Sequence, residues 1–159
     1  MKINKWKIGR GVIAQTEIAL RRGEHEVFAI WSAEKVKTDL IDEMAVDGCI
    51  IPAQTPGVTE EGVWVHIEGS ELQRIQLDNF KAGRRSVIQL HTHPSADVRM
   101  SRLDRAWEVV RHVGALSIIV PHYCRFGLQL GAHANVYERE EDDWRLWSPA
   151  EARERLVVV

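Results

Sequence analysis

Short apolar runs rich in branched and aromatic residues recur along the chain of 159 residues, and each one predicts a strand. The predicted strands span residues 25–31, 49–54, 63–67, 86–90, 115–121, 126–130, 133–138 and 144–147. Between them, the charged stretch 34–43 is predicted to be an exposed loop or a turn of helix. The stretch 55–62, which is rich in Pro, Gly and Thr, is predicted to be a loop. Most of the predicted elements are therefore strands.

Start and stop signals predict two early helices among these strands. The first helix spans 13–22 and ends at Gly23, because glycine commonly ends a helix. The second helix starts at Ser70, which with Gln73 forms a capping-box pattern, and it ends at Gly83.

A third helix is predicted from apolar residues at helical spacing, namely Leu103, Ala106, Trp107, Val110 and Val113. Gly114 closes this helix, and the tail 151–159 predicts a short helix with a hydrophobic end. No internal repeat, low-complexity tract or linker interrupts the chain. We therefore predict one α+β domain over residues 1–159, with helices packed on a mixed or mainly antiparallel sheet.

Composition and charge are those of an ordinary globular protein, and they disfavour two classes of partner. Hydrophobic residues make up 45% and charged residues 28% of a chain that is long enough to bury a core without disulfides or structural metals. The formal net charge is -2, so we expect no basic surface for nucleic acid or for an anionic membrane. A metal in this chain would therefore serve chemistry.

Two further features favour a cytoplasmic location. Cys49 and Cys124 lie far apart and form no Cys-x-x-Cys pair, which suits a reducing compartment. Arg10 and Glu17 interrupt the first residues, which therefore lack the apolar segment of a signal peptide. No apolar run reaches the roughly 20 residues that a membrane helix needs.

The residues after the predicted strand 86–90 are candidates for metal chemistry. His91 and His93 are two positions apart, and side chains at this spacing on a strand point to one face, where both imidazoles can bind one ion. Pro94 ends the strand, and Asp104 is the expected third ligand. Two nitrogen ligands on a rigid strand, a third ligand and an open position for water are what a catalytic zinc requires.

Other interpretations of the same residues are open. Ser101 with Asp104 is also a helix-start pattern, and taken alone such a pair is more often a cap than a metal site. A cupin would place a glutamate a few residues after His93, whereas this chain has Asp97 and then a helix. A barrel amidohydrolase also uses His-x-His, but it needs roughly 250 residues.

The sequence "HTHP" at 91–94, together with Ser101 and Asp104, resembles the JAMM motif of the JAB/MPN metalloprotease family: His-x-His-Pro, then a serine and an aspartate at the family's spacing. The resemblance extends over about residues 10–147. It implies an MPN/JAB fold, a cytidine-deaminase-like mixed sheet flanked by helices. "HTHP" and the strand "LSIIVP" are similar to a bacterial deubiquitinase-like branch associated with ubiquitin-like modification operons.

The resemblance also implies a glutamate that follows the first helix and acts as general base. Glu26 is the chosen residue and Glu24 the alternative, since both have the same strand parity. Members of the family carry a small residue, usually glycine, seven positions after this glutamate. Counting from Glu26 gives Ala33, whereas counting from Glu24 gives Trp31, so Glu26 fits better.

The mechanism implied by the resemblance is metal-assisted hydrolysis of an amide. Zinc held by His91, His93 and Asp104 lowers the pKa of its bound water. Glu26 takes the proton of that water and later passes it to the leaving amine. Ser101 donates a hydrogen bond to the oxyanion of the tetrahedral intermediate.

The substrate implied by the resemblance is the bond after the C-terminal glycine of a ubiquitin or ubiquitin-like protein. An extended tail could add to a sheet edge near 31–36 or 52–62. The implied partners are ubiquitin-activating and ubiquitin-conjugating-like enzymes of the same operon, in a bacterial modification or antiphage system. The alternatives are a JAMM peptidase that processes a sulfur-carrier protein and a metal-free MPN scaffold, which is disfavoured because the chain retains every motif position.

Overall fold

The computed structural model of the protein describes residues 2–36, 41–59, 62–106 and 108–159. The strands within these residues are β1 (Lys5–Ile8), β2 (Phe28–Glu34), β3 (Glu43–Val46), β4 (Gly48–Ile50), β5 (Thr55–Thr59), β6 (Gly62–His66), β7 (Arg84–Thr92), β8 (Leu116–Val120), β9 (Asn135–Arg139), β10 (Trp144–Leu146) and β11 (Leu156–Val158). The helices are α1 (Arg10–Leu20), α2 (Gly69–Ala82), α3 (Arg102–Ala106) and α4 (Pro149–Arg155), with a 3-10 turn at His122–Cys124.

A mixed sheet of six strands forms the centre of the fold, in the order β10, β9, β8, β7, β2, β4. β7 and β8 run parallel, and the other neighbours in this sheet are antiparallel. Every residue of β8 is buried, and so is the second half of β7, so both strands are covered on their two faces. This pair of parallel strands is the most protected part of the sheet.

Helices cover both faces of the sheet. α1 packs on the face that carries Ala29 and Trp31, and α2 packs on the opposite face, which carries Phe28 and Ile30. Alternation along β2 therefore divides the apolar residues between two cores. The predicted α+β class, with a mixed sheet flanked by helices in a single domain, is confirmed.

A second sheet joins three short parallel strands in the order β11, β1, β3. Trp6 on β1 is 1% exposed and pairs with Leu156 on one side and Met44 on the other. The sequence pattern missed all three strands, because segments of three or four residues are too short to show a period. The predicted helix over 151–159 is wrong in its second half, since α4 ends at Arg155 and the following residues form β11.

The third predicted helix is much shorter than expected. α3 has five residues, Trp107 lies outside the described residues, and 108–114 contains no helix. The amides of Val109 and Val110 bind the side-chain oxygen of Gln89 at 2.9 and 2.8 Å instead of helical carbonyl groups. The apolar spacing there reflects packing of Val110 on the sheet rather than a helix.

One predicted loop and one predicted strand are also wrong. Residues 55–62 belong largely to the hairpin of β5 and β6, which pair antiparallel. Pro56 is tolerated there because a two-stranded sheet has free edges where no donor is needed. The predicted strand 126–130 is a loop, since Gly127 and Gln129 have φ values of 86° and 57°.

The ends of two predicted helices differ from the structure by a few residues. α1 begins at Arg10 and is capped at Arg21, so Gly23 does not end it. α2 begins before Ser70, which forms no capping bond, and it ends as predicted at Gly83, whose φ of 66° is the left-handed conformation that glycine adopts freely.

Two predicted strands also have different ends. β2 begins at Phe28, after the predicted start, and β4 ends at Ile50, before the predicted end. Part of the predicted loop 34–43 lies outside the described residues, and its ends belong to β2 and β3. The later start of β2 leaves Glu26 in the segment that leads into the strand.

Candidate metal centre

The candidate histidines lie at the end of β7, beside the segment that leads into β2. β7 pairs antiparallel with β2 as far as His91. The pairing continues because the Thr92 amide donates to the Val27 carbonyl at 3.2 Å and the Val27 amide donates to Thr92 Oγ1 at 3.1 Å. One residue further, the same register brings Glu26 next to His93.

Three predicted ligands converge at this place. His91 Nε2 lies 3.1 Å from His93 Nε2 and 3.1 Å from Asp104 Oδ1, and His93 Nε2 lies 3.2 Å from Asp104 Oδ2. Among the described residues, no other group of three or more His, Cys, Asp or Glu side chains has the spacing of a metal site.

The donor set and its spacing fit a divalent ion. Tetrahedral ligands of zinc, each about 2.0–2.1 Å from the ion, lie roughly 3.3 Å from one another. The two imidazole nitrogens lie 3.1 Å from each other, and each lies 3.1 to 3.2 Å from a different oxygen of the Asp104 carboxylate, which is close to this value. The fit is therefore one of geometry as well as of residue type.

Contacts on the far side of each ring orient the two imidazoles. His93 Nδ1 lies 2.7 Å from the Asp97 carbonyl oxygen, which accepts the Nδ1 proton. In the neutral ring, the form that binds a metal, Nε2 then keeps its lone pair, whereas in the protonated ring Nε2 donates to Asp104. The His91 ring stacks on Phe28 with centroids 6.0 Å apart and planes 6° apart. His91 Nδ1 is buried and has no hydrogen-bond partner in the part of the chain that the structure describes. Both rings thus direct Nε2 toward Asp104.

Ser101 and Asp104 form the capping arrangement as well as part of the metal centre. The Ser101 amide donates to Asp104 Oδ2 at 2.8 Å, and the Asp104 amide donates to Ser101 Oγ at 3.0 Å. These two bonds fix the carboxylate at the start of α3, where it meets both imidazoles. The helix-cap interpretation and the metal interpretation are therefore compatible.

Burial separates the two candidate glutamates. Glu26 is 5% exposed, whereas Glu24 lies in the exposed turn before it. Charge coupling joins the Glu26 carboxyl to His93 and Asp104. Burial, the strand register and these charge effects therefore favour Glu26, and Glu24 stays on the surface.

The site combines two carboxyl groups with opposite shifts of their pKa. Burial raises the pKa of Glu26 to about 7, while His93 lowers it and Asp104 raises it. Burial would also raise the pKa of Asp104, but hydrogen bonds from His91 and His93 outweigh it and hold this pKa well below its usual range. The site thus keeps one carboxylate ionised and leaves the other able to exchange a proton near neutral pH.

Sequence reasoning missed several residues that support the site. Gln54 binds the backbone of Phe28 with both ends of its amide, at 2.6 and 2.9 Å, and so joins the segment before β5 to the start of β2. Tyr137 and Asn135 hold the loop before α3. No motif marks these polar residues, because each acts through a backbone contact that depends on the fold.

The solved structures that resemble this chain support its fold. A JAB1/MPN domain protein from Archaeoglobus fulgidus matches with a TM-score of 0.51 and 18% identity, over 98% of each chain. A Desulfitobacterium hafniense protein solved in solution matches with a TM-score of 0.61 and 10% identity, over 97% of this chain and 92% of that one. A fold of the MPN/JAB type, with a His-His-Asp cluster at the end of its central strand, is therefore the class that fold and site define.

Sequence similarity places the chain within a family. It is 33% identical to the probable metalloprotease y4jG of Sinorhizobium fredii over 136 aligned residues. The alignment covers 85% of this chain and 80% of that protein. No known family model matches the chain. Because of the metalloprotease relative and the JAB1/MPN fold, the chain belongs to the JAB/MPN family of metalloproteases. Within its described residues, no helix has the length and apolar character needed to span a membrane.

Proposed function

We propose that the protein is a zinc-dependent JAMM peptidase or isopeptidase that cleaves the amide bond after the C-terminal glycine of a ubiquitin or ubiquitin-like protein. The observation that carries the proposal is the convergence of His91, His93 and Asp104, with the buried Glu26 beside them. The metalloprotease relative supports the reaction class. The resemblance of the sequence motif supports the choice of substrate.

His91, His93 and Asp104 would hold the ion in this proposal. When bound, zinc supplies a Lewis acid and lowers the pKa of a coordinated water toward about 7. The chain contributes the orientation of the ligands. The Asp97 carbonyl sets the tautomer of His93, since it accepts the Nδ1 proton and leaves Nε2 free to bind.

Glu26 would act as the general base and then as the general acid. Burial raises the pKa of its carboxyl to about 7, so near neutral pH the group can both accept and return a proton. Ser101 would donate a hydrogen bond from its hydroxyl to the oxyanion. Its oxygen accepts the Asp104 amide, and a hydroxyl can accept and donate at the same time.

An extended substrate tail would bind along the hairpin of β5 and β6. These strands pair only with each other among the described residues, so the hairpin has an edge to which a chain could add. Gln54 directly precedes β5 and binds the backbone of Phe28, and the Phe28 ring stacks on His91. This link supports the earlier expectation for 52–62, because it places the start of the hairpin beside the candidate metal centre.

The wider setting is also part of the proposal. The resemblance to a bacterial deubiquitinase-like branch supports a cytoplasmic modification or antiphage system, with activating and conjugating-like enzymes as partners. A sulfur-carrier protein with a ubiquitin fold is the second candidate substrate within the same reaction. A metal-free scaffold is the alternative of a different class.

A panel of fusion substrates tests the proposal. Each fusion joins a ubiquitin-like protein through its C-terminal glycine to a reporter, and the panel includes ubiquitin, bacterial ubiquitin-like proteins and sulfur carriers. We expect the zinc-loaded enzyme to cleave one class after glycine, and a chelator to stop the cleavage. Cleavage of unstructured peptides alone would refute the substrate but keep the peptidase. A protein that binds no zinc would be the scaffold.

A further inference from the structure

The helix that supplies Asp104 has little of its own to hold it in place. α3 is only five residues long and contains no buried residue. A helix of this length is not stable alone, and its position depends on packing by the segments around it. The loop that precedes α3 therefore decides where the Asp104 carboxylate lies.

Two polar side chains of β9 bind the backbone of that loop. Tyr137 Oη accepts the Met100 amide at 3.0 Å and lies 3.3 Å from the Val98 carbonyl oxygen, to which it donates. Asn135 Nδ2 donates to the Val98 carbonyl at 3.0 Å and to Tyr137 Oη at 3.1 Å. The four bonds form one network, here called the β9 clamp and made of Tyr137 and Asn135.

Apolar packing surrounds the Tyr137 side of the clamp, whereas Asn135 is half-buried. Val98 and Met100 are 8% and 9% exposed, and they share a small core with Ile119, Tyr137 and Trp144. Tyr137 itself is 5% exposed. Since buried amides need a partner, the Met100 amide depends on the Tyr137 hydroxyl for its hydrogen bond.

We propose that Tyr137 is a positioning residue for the metal centre, which acts by fixing the loop in front of Ser101 and so the carboxylate of Asp104. Met100 immediately precedes Ser101, and the Ser101 amide donates to Asp104 Oδ2. Two hydrogen bonds thus connect the Tyr137 hydroxyl to the Asp104 carboxylate, one from the Met100 amide and one from the Ser101 amide, and these two amides are neighbours in the chain. The inference rests on the proposed binding of metal by Asp104.

The affinity for zinc tests the role of Tyr137. The Tyr137→Phe variant loses only the hydroxyl and keeps the ring in its core. We expect its Kd for Zn²⁺, measured by competition with a chelator well below the melting temperature, to rise roughly tenfold, the lower end of what the loss of an outer contact costs a metal site. We also expect faster hydrogen exchange at the Met100 amide.

Thr16→Val provides a matched control for a general loss of stability. Thr16 is fully buried, and its hydroxyl donates to the Val12 carbonyl at 2.6 Å and accepts the Trp31 Nε1 proton at 2.7 Å. The variant therefore removes a buried hydroxyl of similar connectivity from α1. We expect it to lower the melting temperature while its Kd for Zn²⁺ stays within twofold of the wild-type value.

The possible outcomes separate the positioning role from the metal site itself. If Tyr137→Phe and Thr16→Val change the Kd equally, or if Tyr137→Phe leaves it unchanged, the positioning role is wrong although the metal site stands. If the wild-type protein binds no Zn²⁺, the metal site and the positioning role both fall. If Tyr137→Phe does not fold, Asn135→Ala replaces it, because this variant removes the other side chain of the β9 clamp. We expect its Kd for Zn²⁺ to rise as well, and no rise then overturns the inference.

Discussion

Gln89 offers a direct test of how the segment after α3 is held. Its side chain is 2% exposed and lies on β7, two positions before His91. Its oxygen accepts the amides of Val109 and Val110 at 2.9 and 2.8 Å, and its nitrogen donates to Ser117 Oγ at 3.1 Å. Replacement by methionine keeps the volume and removes all three bonds.

The expected loss of stability follows from the groups left without partners. A buried amide that loses its acceptor costs about 1–3 kcal/mol. The Val110 amide is buried, whereas the Val109 amide is partly buried and nearer the low end of that range. We therefore expect Gln89→Met to lower the free energy of unfolding by about 3 kcal/mol, measured by urea denaturation with an unchanged m value.

Ser117→Ala is the matched control for Gln89→Met. It removes only the bond to the Gln89 nitrogen, so we expect a loss of about 1 kcal/mol. If Gln89→Met costs no more than Ser117→Ala, the two amide bonds do not stabilise the 109–110 segment. The explanation for the short α3 would then be wrong, since it rests on those bonds.

Three further predictions concern the site and the pH dependence of stability. Glu26→Gln should lower kcat by about 10²–10⁴-fold with little change in Kd for Zn²⁺. The control Glu24→Gln changes an exposed residue and should keep wild-type activity. Equal losses of kcat in the two variants would refute the choice of Glu26 as the base. Ser101→Ala should lower kcat by about 10²–10³-fold and stability by about 1 kcal/mol; an unchanged kcat would remove the oxyanion role. Burial, with a smaller effect of Arg85, lowers the pKa of His112 to about 4, so the unfolded state binds more protons and stability falls as the pH drops from about 6.5 to 4. His112→Gln should lessen that fall by about 1–2 kcal/mol in denaturation curves at pH 7 and pH 4.5, and an identical fall would contradict the assigned pKa.

Long buried strands were predictable from the sequence because they contain enough apolar residues to show a pattern. The strands predicted at 86–90 and 115–121 correspond to β7 and β8, which are covered on both faces. The short strands β1, β3 and β11 were not predictable. Their stability comes from the pairing of β1 with β11 and with β3, which are both distant from it in the sequence. A local window of sequence contains no sign of that pairing.

Local signals were also outweighed by tertiary contacts. The spacing of Leu103, Ala106 and Val110 is that of a helix. The helix does not continue, because the backbone amides at 109 and 110 donate to the Gln89 side chain instead of to helical carbonyl groups. The Pro and Gly of 55–62 indicate a loop, yet cross-strand pairing forms a hairpin there. The decisive partner of the Val109 and Val110 amides is Gln89, a distant residue in the sequence. The partner of β5 is the next strand, β6, so there the alternation of the two strands outweighed the turn-forming residues.

The predicted site depended on spacing that translates directly into geometry. His91 lies on β7 and His93 directly follows its last residue, so the alternation of the strand still brings both imidazoles together. A capped turn brings Asp104 to them. The spacing to Ala33 favoured Glu26 over Glu24, and the burial of Glu26 agrees with that choice. The role of Tyr137 could not be predicted from the sequence, because a single tyrosine on a strand is ordinarily interpreted as a core residue.

The zinc content of the purified protein tests the central claim most directly. After loading with Zn²⁺ and removal of the excess, we predict one tightly bound zinc per wild-type chain, and we predict that Asp104→Asn and His93→Ala lose most of it while they remain folded. A wild-type chain that retains no zinc would contradict the account, and so would an Asp104→Asn variant that retains as much zinc as the wild type.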